Sequence, residues 1–211
     1  EFQPEKNFRT FSTSSFNIDN ILDSNGLKAG EITLFYGKFR TGKSQMGFNA
    51  CCEIYKHFSQ EKSKKLTLFI DTEGTFRPER ISEIALFKGI SPDDLLKSIY
   101  VVKAQTISEL KLIFGKIEEI IEQEKIRLII IDSLTSLFRV ELGKNDKESY
   151  QVIGDLVKIL DQLSKILRDK QIPALCTSQV SGNIGDIRFF DVSPILRSEE
   201  HTSELQSRQV I

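Results

Sequence analysis

A loop suited to phosphate groups is the strongest chemical signal in the sequence. Residues 37–44 read Gly-Lys-Phe-Arg-Thr-Gly-Lys-Ser and fit the pattern G-x-x-x-x-G-K-[ST], with an apolar run before them and a helical pattern after them. The glycines of such a loop let backbone N–H groups turn towards phosphate oxygens, and the following helix adds positive potential. The alternative is an ordinary glycine-containing turn with an exposed lysine. The residues predicted to bind a nucleotide are Gly37, Lys38, Phe39, Arg40, Thr41, Gly42, Lys43, Ser44 and Gln45.

Three residues are predicted to act on the phosphates and on a metal ion. Lys43 would reach the β- and γ-phosphates, and the Ser44 hydroxyl would bind Mg²⁺. Asp132 directly follows the apolar run at residues 128–131, where a carboxylate can hold Mg²⁺ through water. Considered alone, Asp132 could instead cap a turn that begins at Ser133. Beside the phosphate loop, it predicts ATP and Mg²⁺ as cofactors.

Another acidic residue follows a second predicted strand. Glu73 comes shortly after the apolar run at residues 66–70. Its carboxylate could orient, or accept a proton from, the water that attacks the γ-phosphate. It could equally be an acid near the positive end of the next helix. The residues alone leave these two interpretations open.

Alternating strand and helix patterns must position these residues. The predicted strands are residues 31–36, 66–70, 99–102, 128–131 and 173–177. The predicted helices cover residues 43–58 and 78–88, a start at Ser91, and apolar stripes over 110–121 and 152–167. Strands that alternate with helices predict an α/β fold with a largely parallel sheet, flanked by helices and forming one domain.

Composition excludes several classes of protein. The chain has 211 residues, of which 39% are apolar and 28% charged, an ordinary balance for a globular domain. It is therefore neither mostly disordered, nor collagen-like, nor a coiled coil, and no apolar run reaches the roughly 18 residues of a membrane helix. A net charge of -1 argues against a basic surface over the whole domain, although a local basic patch stays possible. The 3 cysteines predict reduced thiols, and the 2 histidines support neither a zinc site nor a Ser/His/Asp triad.

The chain is predicted to have three segments. Residues 1–14 are a polar lead-in, and residues 15–196 form the domain. Residues 197–211 begin with a string that resembles the translation of a common sequencing adapter, so we expect them to be an artefact, the alternative being a natural polar tail. That stretch holds two basic and three acidic residues, so the remainder is formally neutral.

A family resemblance rests on four strings that occur in the same order. Residues 71–80 read Asp-Thr-Glu-Gly-Thr-Phe-Arg-Pro-Glu-Arg, a hallmark of the RecA-type recombinases of archaea and eukaryotes. Residues 37–45 resemble their phosphate loop, residues 128–139 their second nucleotide motif and residues 178–180 their Asn-Gln-Val segment. The resemblance implies a P-loop NTPase core of RecA type, and a DNA-dependent ATPase acting in homologous recombination and DNA repair.

The resemblance also assigns roles to individual residues. It implies that Glu73 is the catalytic glutamate and that Arg77 contacts the nucleotide base; otherwise Arg77 is a solvated residue at a helix start. It implies that Gln179 senses the γ-phosphate and signals to the following DNA loop, whereas without the family a polar strand end is the better interpretation. The implied partners are single-stranded and possibly double-stranded DNA, and further copies of the chain or a recombinase paralogue.

Two DNA-binding loops are expected near residues 139–147 and 180–194. Their candidate phosphate contacts are Arg139, Lys144, Lys147 and Arg188. Both loops also carry acidic residues, so the alternative is a pair of ordinary mobile polar loops. The compartment would be cytoplasmic in an archaeon and nuclear in a eukaryote.

Several departures from the family pattern favour other interpretations. Lys38 replaces an acid, Ser178 replaces an asparagine, and residues 1–16 contain no F-x-x-A filament hook. The family's chain continues with further strands beyond the second loop, so we expect this core to be incomplete. The alternative function is a RadB-like regulatory paralogue that binds ATP and DNA, or a recombinase, without strand exchange. A helicase-type or clock-protein-type ATPase is a weaker alternative.

Overall fold

Strands and helices alternate along the chain, as the apolar pattern predicts. The computed structural model describes residues 9–22, 25–60, 65–142, 146–179 and 209–210. The strands there are β1 (Thr10–Phe11), β2 (Leu27–Lys28), β3 (Ile32–Gly37), β4 (Thr67–Asp71), β5 (Ile99–Lys103), β6 (Leu128–Asp132), β7 (Ala174–Gln179) and β8 (Gln209–Val210). The helices are α1 (Phe16–Ile21), α2 (Lys43–Phe58), α3 (Pro78–Phe87), α4 (Pro92–Lys97), α5 (Ile107–Glu124), α6 (Ser136–Leu142) and α7 (Asp146–Lys170).

The central sheet is parallel, which confirms the predicted α/β fold with a largely parallel sheet. Its strand order is β5-β4-β6-β7-β3, with the short β8 along the outer side of β3. In register, Asp71 lies opposite Asp132 and Gly37 lies opposite Gln179. Because all these strands run the same way, their carboxyl ends meet at one edge of the sheet.

Helices cover both faces of the sheet. In β6, Ile129 and Ile131 pack against the face covered by α5, α6 and α7. Leu128 and Ile130 pack against the opposite face, covered by α2, α3 and α4. Successive residues of a strand point to opposite faces, so an uninterrupted apolar run requires two helical layers.

The helix ends carry capping residues, among them the predicted helix start at Ser91. Ser91 accepts a hydrogen bond from the backbone N–H of Asp94, and Thr106 does the same for Glu109. Pro78 occupies the first turn of α3, and Gly89, just past its end, has φ +68°. These local signals explain why the bounds of α3 and the start of α4 agree with the sequence pattern.

Residues 9–22, of which 9–14 fall in the predicted lead-in, pack onto the domain. The strands β1 and β2 pair antiparallel, and Phe11 is buried. A Cβ atom on Gly26, which has φ +135°, would lie 2.2 Å from the carbonyl oxygen of Phe11, so only glycine fits this close approach. The strand β8, by contrast, falls in the stretch predicted to lie outside the domain. The three-segment division stays a prediction.

An ion-pair cluster ties this segment to α2 and α3. We call Ser14, Glu53, Lys56 and Lys88 the Glu53 cluster. The Ser14 hydroxyl donates to Glu53 Oε1 at 2.5 Å, and Lys88 Nζ lies 2.8 Å from the same oxygen. Lys88 also donates to the Ser14 hydroxyl, and Lys56 Nζ lies 3.8 Å from Glu53. Burial acts to raise the pKa of Glu53, but hydrogen bonds from Lys88 and Ser14 and the charge of Lys88 outweigh it and lower that pKa.

The prediction of a first DNA-binding loop near residues 139–147 is wrong at both ends of that range. Arg139 lies in α6 and Lys147 in the first turn of α7, so the described parts of the predicted loop, residues 139–142 and 146–147, are helical. The helices α6 and α7 pack against each other, and this packing of apolar faces is not visible in the local polarity of the sequence. Lys144 and Arg188 lie outside the described residues.

The cysteines are free, buried thiols. Cys51, Cys52 and Cys176 all lie in the core, which agrees with the predicted reduced thiols. Burial raises the pKa of Cys52 to about 11 and that of Cys176 to about 12, so both stay protonated and unreactive at neutral pH. In the described part of the chain, no helix is long and apolar enough to cross a membrane.

Candidate active site

A polar cavity lies where the carboxyl ends of the strands meet. It has a volume of about 300 Å³. Its lining residues are Phe39, Arg40, Thr41, Gly42, Lys43, Ser44, Gln45, Glu73, Thr75, Asp132, Ser133, Thr177 and Gln179. The structure therefore brings together the predicted phosphate loop, both predicted acids and the predicted γ-phosphate sensor.

The phosphate loop turns tightly between β3 and α2. Arg40 has φ +64° and Gly42 has φ +90°, both in the left-handed region. A Cβ atom on Gly37 would lie 3.1 Å from Thr41 Oγ1, and that hydroxyl donates to the carbonyl oxygen of Lys38 at 2.9 Å. The side chain of Thr41 thus holds the loop in a tight turn, the kind of backbone conformation that phosphate-binding loops use.

Lys43 reaches across this loop from the first turn of α2. Its ammonium group donates to the carbonyl oxygen of Gly37 at 3.1 Å and to that of Lys38 at 2.8 Å. Burial lowers the pKa of Lys43, and Arg139 adds to this, against the opposite effect of Glu73 and Asp132. The charge of Lys43 is therefore not fully balanced by its surroundings, as suits a residue that binds an anion.

Asp132 is buried at the end of β6, on the floor of the cavity. Its Oδ2 accepts a hydrogen bond from Thr75 Oγ1 at 2.9 Å, and its Oδ1 accepts one from the Thr177 hydroxyl. These hydroxyls come from the turn after β4 and from β7 rather than from the turn that begins at Ser133, so the contacts do not support the capping alternative. Ser44 lines the same cavity from the first turn of α2.

A turn organised by Asp71 presents Glu73 to the cavity. Asp71 Oδ1 accepts hydrogen bonds from the backbone N–H groups of Glu73, at 3.2 Å, and Thr75, at 3.0 Å. Asp71 Oδ2 accepts another from Phe76 at 3.2 Å. Glu73 therefore lies in a fixed turn and not in the first turn of α3, where Glu79 is the acid that faces the helix dipole.

Two side chains, Ser133 from the turn after β6 and Arg139 from α6, meet at Glu73. Ser133 Oγ donates to Glu73 Oε1 at 2.7 Å. Arg139 Nη2 lies 3.6 Å from the same oxygen, and Arg139 Nη1 donates to the backbone carbonyl of Gln179 at 3.2 Å. A guanidinium predicted to contact DNA thus lies beside the predicted catalytic glutamate. Its role in DNA binding stays a prediction.

Two other predicted residues lie at or beyond the cavity rim. Gln45 lines the cavity, and its Oε1 accepts a hydrogen bond from Arg80 Nε at 2.8 Å. Arg77 does not line the cavity. Its guanidinium donates to the carbonyl oxygens of Gly74 and Phe76, at 2.8 and 2.9 Å. Its assignment as a base contact stays a prediction.

The sequence did not single out Thr75, Ser133 or Thr177, and it placed Arg139 in a DNA loop instead of beside Glu73. Thr75, Ser133 and Thr177 hold the two acids by hydrogen bonds, and Arg139 approaches from α6. A usable signal existed for Thr177, because it stands near the end of a predicted parallel strand, and such ends meet at one edge. No local signal in the sequence indicates that Arg139 lies beside Glu73, because that position depends on how α6 packs.

Comparison with known proteins identifies the family. The model of the Rad51 family matches residues 5–194. The chain belongs to the Rad51 family. This confirms the resemblance to RecA-type recombinases, and the matched residues end before the stretch predicted to be an artefact.

Relatives of this Rad51-family chain occur in archaea and eukaryotes. It is 33% identical over 180 residues to the DNA repair and recombination protein RadA of Ignicoccus hospitalis, covering 82% of this chain and 54% of that protein. It is 35% identical over 184 residues to RadA of Methanococcus voltae, covering 81% and 56%. The DNA repair protein RAD51 of Saccharomyces cerevisiae is 30% identical over 186 residues, covering 87% and 45%. The chain thus spans about half the length of these relatives.

Proposed function

We propose that this chain is the ATP-binding part of a DNA-dependent ATPase that acts in homologous recombination and DNA repair. The observation that carries the proposal is the cavity where Lys43, Asp132 and Glu73 meet in a chain of the Rad51 family. The curated relatives are named as DNA repair or DNA repair and recombination proteins. The family as a whole works as DNA-dependent ATPases, which supports the same activity here.

The residues present fit ATP and Mg²⁺. The phosphate loop and Lys43 would hold the phosphates, and Ser44 and Asp132 would hold the ion. In the described ranges, no group of three or more His, Cys, Asp or Glu side chains could bind a metal by itself. The ion would therefore share its coordination with phosphate oxygens and water, as Mg²⁺ commonly does. When bound, it would neutralise charge on the phosphates.

Each side chain then has a defined task. Lys43 attracts the phosphates with a charge that its own surroundings leave partly unbalanced. Glu73, held by Ser133, would orient the attacking water and accept its proton. Gln179 ends β7 at the cavity wall, from which it would register the γ-phosphate and pass the change to the residues that follow.

Hydrolysis by the 211-residue chain tests this proposal. We expect ATP turnover that single-stranded DNA stimulates and that Lys43→Ala abolishes. Lys116→Ala is the matched control, because Lys116 lies on the exposed side of α5, away from the cavity. Turnover that survives Lys43→Ala would contradict the proposal, and so would turnover that single-stranded DNA never changes.

A second candidate function is supported by the position of Arg139. This basic residue, predicted to contact DNA, is turned towards Glu73 and Gln179 in the structure. That arrangement leaves fewer cations for a DNA phosphate backbone and favours a regulatory paralogue, whose partner would be a recombinase. Strand exchange between homologous DNA molecules separates the candidates, since the regulatory paralogue should bind ATP and exchange no strands. A chain that exchanges strands unaided would exclude it.

A further inference from the structure

Arg139 joins two residues that the proposed function assigns to ATP hydrolysis. One guanidinium nitrogen lies 3.6 Å from the Glu73 carboxylate, and another donates to the Gln179 carbonyl at 3.2 Å. The side chains of Arg139 and Glu73 are only 21% and 26% exposed. Partial shielding from water makes such a pair more effective than one on an open surface.

The guanidinium is held on a well-anchored helix. In α6, the backbone N–H of Arg139 donates to the carbonyl oxygen of Thr135 at 3.0 Å, and the neighbouring Phe138 is buried. Just before α6, the N–H of Leu134 donates to the carbonyl oxygen of Thr177 in β7 at 2.8 Å. The base of the Arg139 side chain is therefore fixed relative to β7. Because a guanidinium is a rigid planar fork, it can hold two acceptors at a set separation.

We propose that Arg139 is a positioning residue for Glu73. It holds the carboxylate beside Ser133 at the cavity wall and couples that placement to the end of β7 through the Gln179 carbonyl. This inference rests on the proposed function, because Glu73 matters to the reaction only if the chain hydrolyses ATP. A shift of the β7 end, such as a bound γ-phosphate would produce at Gln179, would then change the place of Glu73 directly.

The test is steady-state ATP turnover by variants of the 211-residue chain. Arg139→Gln should lower kcat at least about tenfold while KM for ATP changes less than about threefold, because the variant misplaces Glu73 without touching the phosphate loop. Arg139→Lys should recover part of the loss, since a lysine keeps the charge but cannot bridge both acceptors. Arg168→Gln is the matched control, an exposed arginine near the end of α7.

A double variant distinguishes positioning from direct contact with the phosphates. If Arg139 acts through Glu73, adding Arg139→Gln to Glu73→Gln should lower kcat by less than about twofold more. Full additivity would overturn the inference, as would a kcat for Arg139→Gln equal to that of the unchanged chain. Failure of the proposed function looks different: the unchanged chain would then show no Lys43-dependent turnover.

Thermal unfolding tests the pair without any turnover. The melting temperature of the double variant should fall by less than the sum of the two single falls, because either substitution alone already breaks the contact. Additive falls would mean that the two side chains are not coupled, and they would overturn the inference even in a chain without ATPase activity.

Discussion

Two clusters of charged side chains in this molecule differ in whether neighbouring side chains neutralise their charge. At the cavity, Lys43 donates only to backbone carbonyls of its own loop, and burial lowers its pKa. In the Glu53 cluster, Lys88 lies 2.8 Å from Glu53, and the lowered pKa of Glu53 shows that its charged form is favoured. A charge that the chain itself satisfies stabilises the fold, whereas a charge left partly unsatisfied is available to a ligand.

The largest expected effect is on the cavity side of this comparison. Lys43→Ala should weaken binding of a fluorescent ATP analogue at least about 100-fold, because a charge-assisted contact to phosphate is lost. Its free energy of unfolding should not fall, since the replaced charge was disfavoured by burial. Analogue titration and urea unfolding measure the two quantities. A clear loss of stability with unchanged binding of the analogue would contradict this, because Lys43 would then stabilise the fold and not bind the ligand.

The second expected effect concerns the metal ion. Asp132→Asn keeps the shape of the side chain and an oxygen for the Thr75 hydroxyl, but it removes the negative charge. We expect ATP turnover at a fixed Mg²⁺ concentration to fall by about 10- to 100-fold, and additional Mg²⁺ to restore part of it. Turnover measured across a Mg²⁺ series checks this. Equal Mg²⁺ dependence in both proteins would exclude Asp132 as a ligand.

The third effect falls on the Glu53 cluster. Lys88→Ala should lower the free energy of unfolding by about 1 kcal/mol, because it leaves a partly buried carboxylate with fewer partners. Binding of the ATP analogue should not change. The matched control is Lys170→Ala, whose partner Glu122 is 66% exposed and whose loss should change stability very little. If the two substitutions lowered the free energy of unfolding equally, burial would not determine how much each ion pair contributes to stability.

The smallest effect is a dependence on pH. Because folding lowers the pKa of Glu53 from its ordinary 4.5, the stabilisation is complete above that value and is lost as pH falls through the lowered pKa. Urea unfolding of the unchanged chain and of Glu53→Gln should therefore give stabilities that converge in acid. Lys88, Lys56 and Ser14 face this carboxylate, and none of them changes charge in that range. Curves that stay parallel down to about pH 3 would contradict the assignment.

Local sequence signals predicted most of the strands and helices, and in the site they predicted the phosphate loop and the two acids but not the residues that hold those acids. The bounds of α2 agree with the pattern because Gly42 precedes its first turn and its apolar face is regular. The phosphate loop was predicted from its motif, and the two acids were candidates because each follows a predicted strand. Arg139 was predicted to lie in a loop but lies in α6. The packing of α6 on α7 involves residues far apart in the sequence, so a local pattern does not show it. Phe11 was assigned to a lead-in because nothing local shows that β1 pairs with β2.

The strand order has a consequence for how the chain folds as it is made. The strand β3, which leads into the phosphate loop, pairs with β7. Gly37 therefore lies opposite Gln179, although most of the chain separates the two residues in sequence. During synthesis, the loop leaves the ribosome long before its neighbouring strand exists, and long-range pairings of this kind form slowly. Nucleotide can stabilise only a state in which both strands are present. On the proposed function, ATP would therefore act on a late stage of folding, once β7 has been made and has paired with β3.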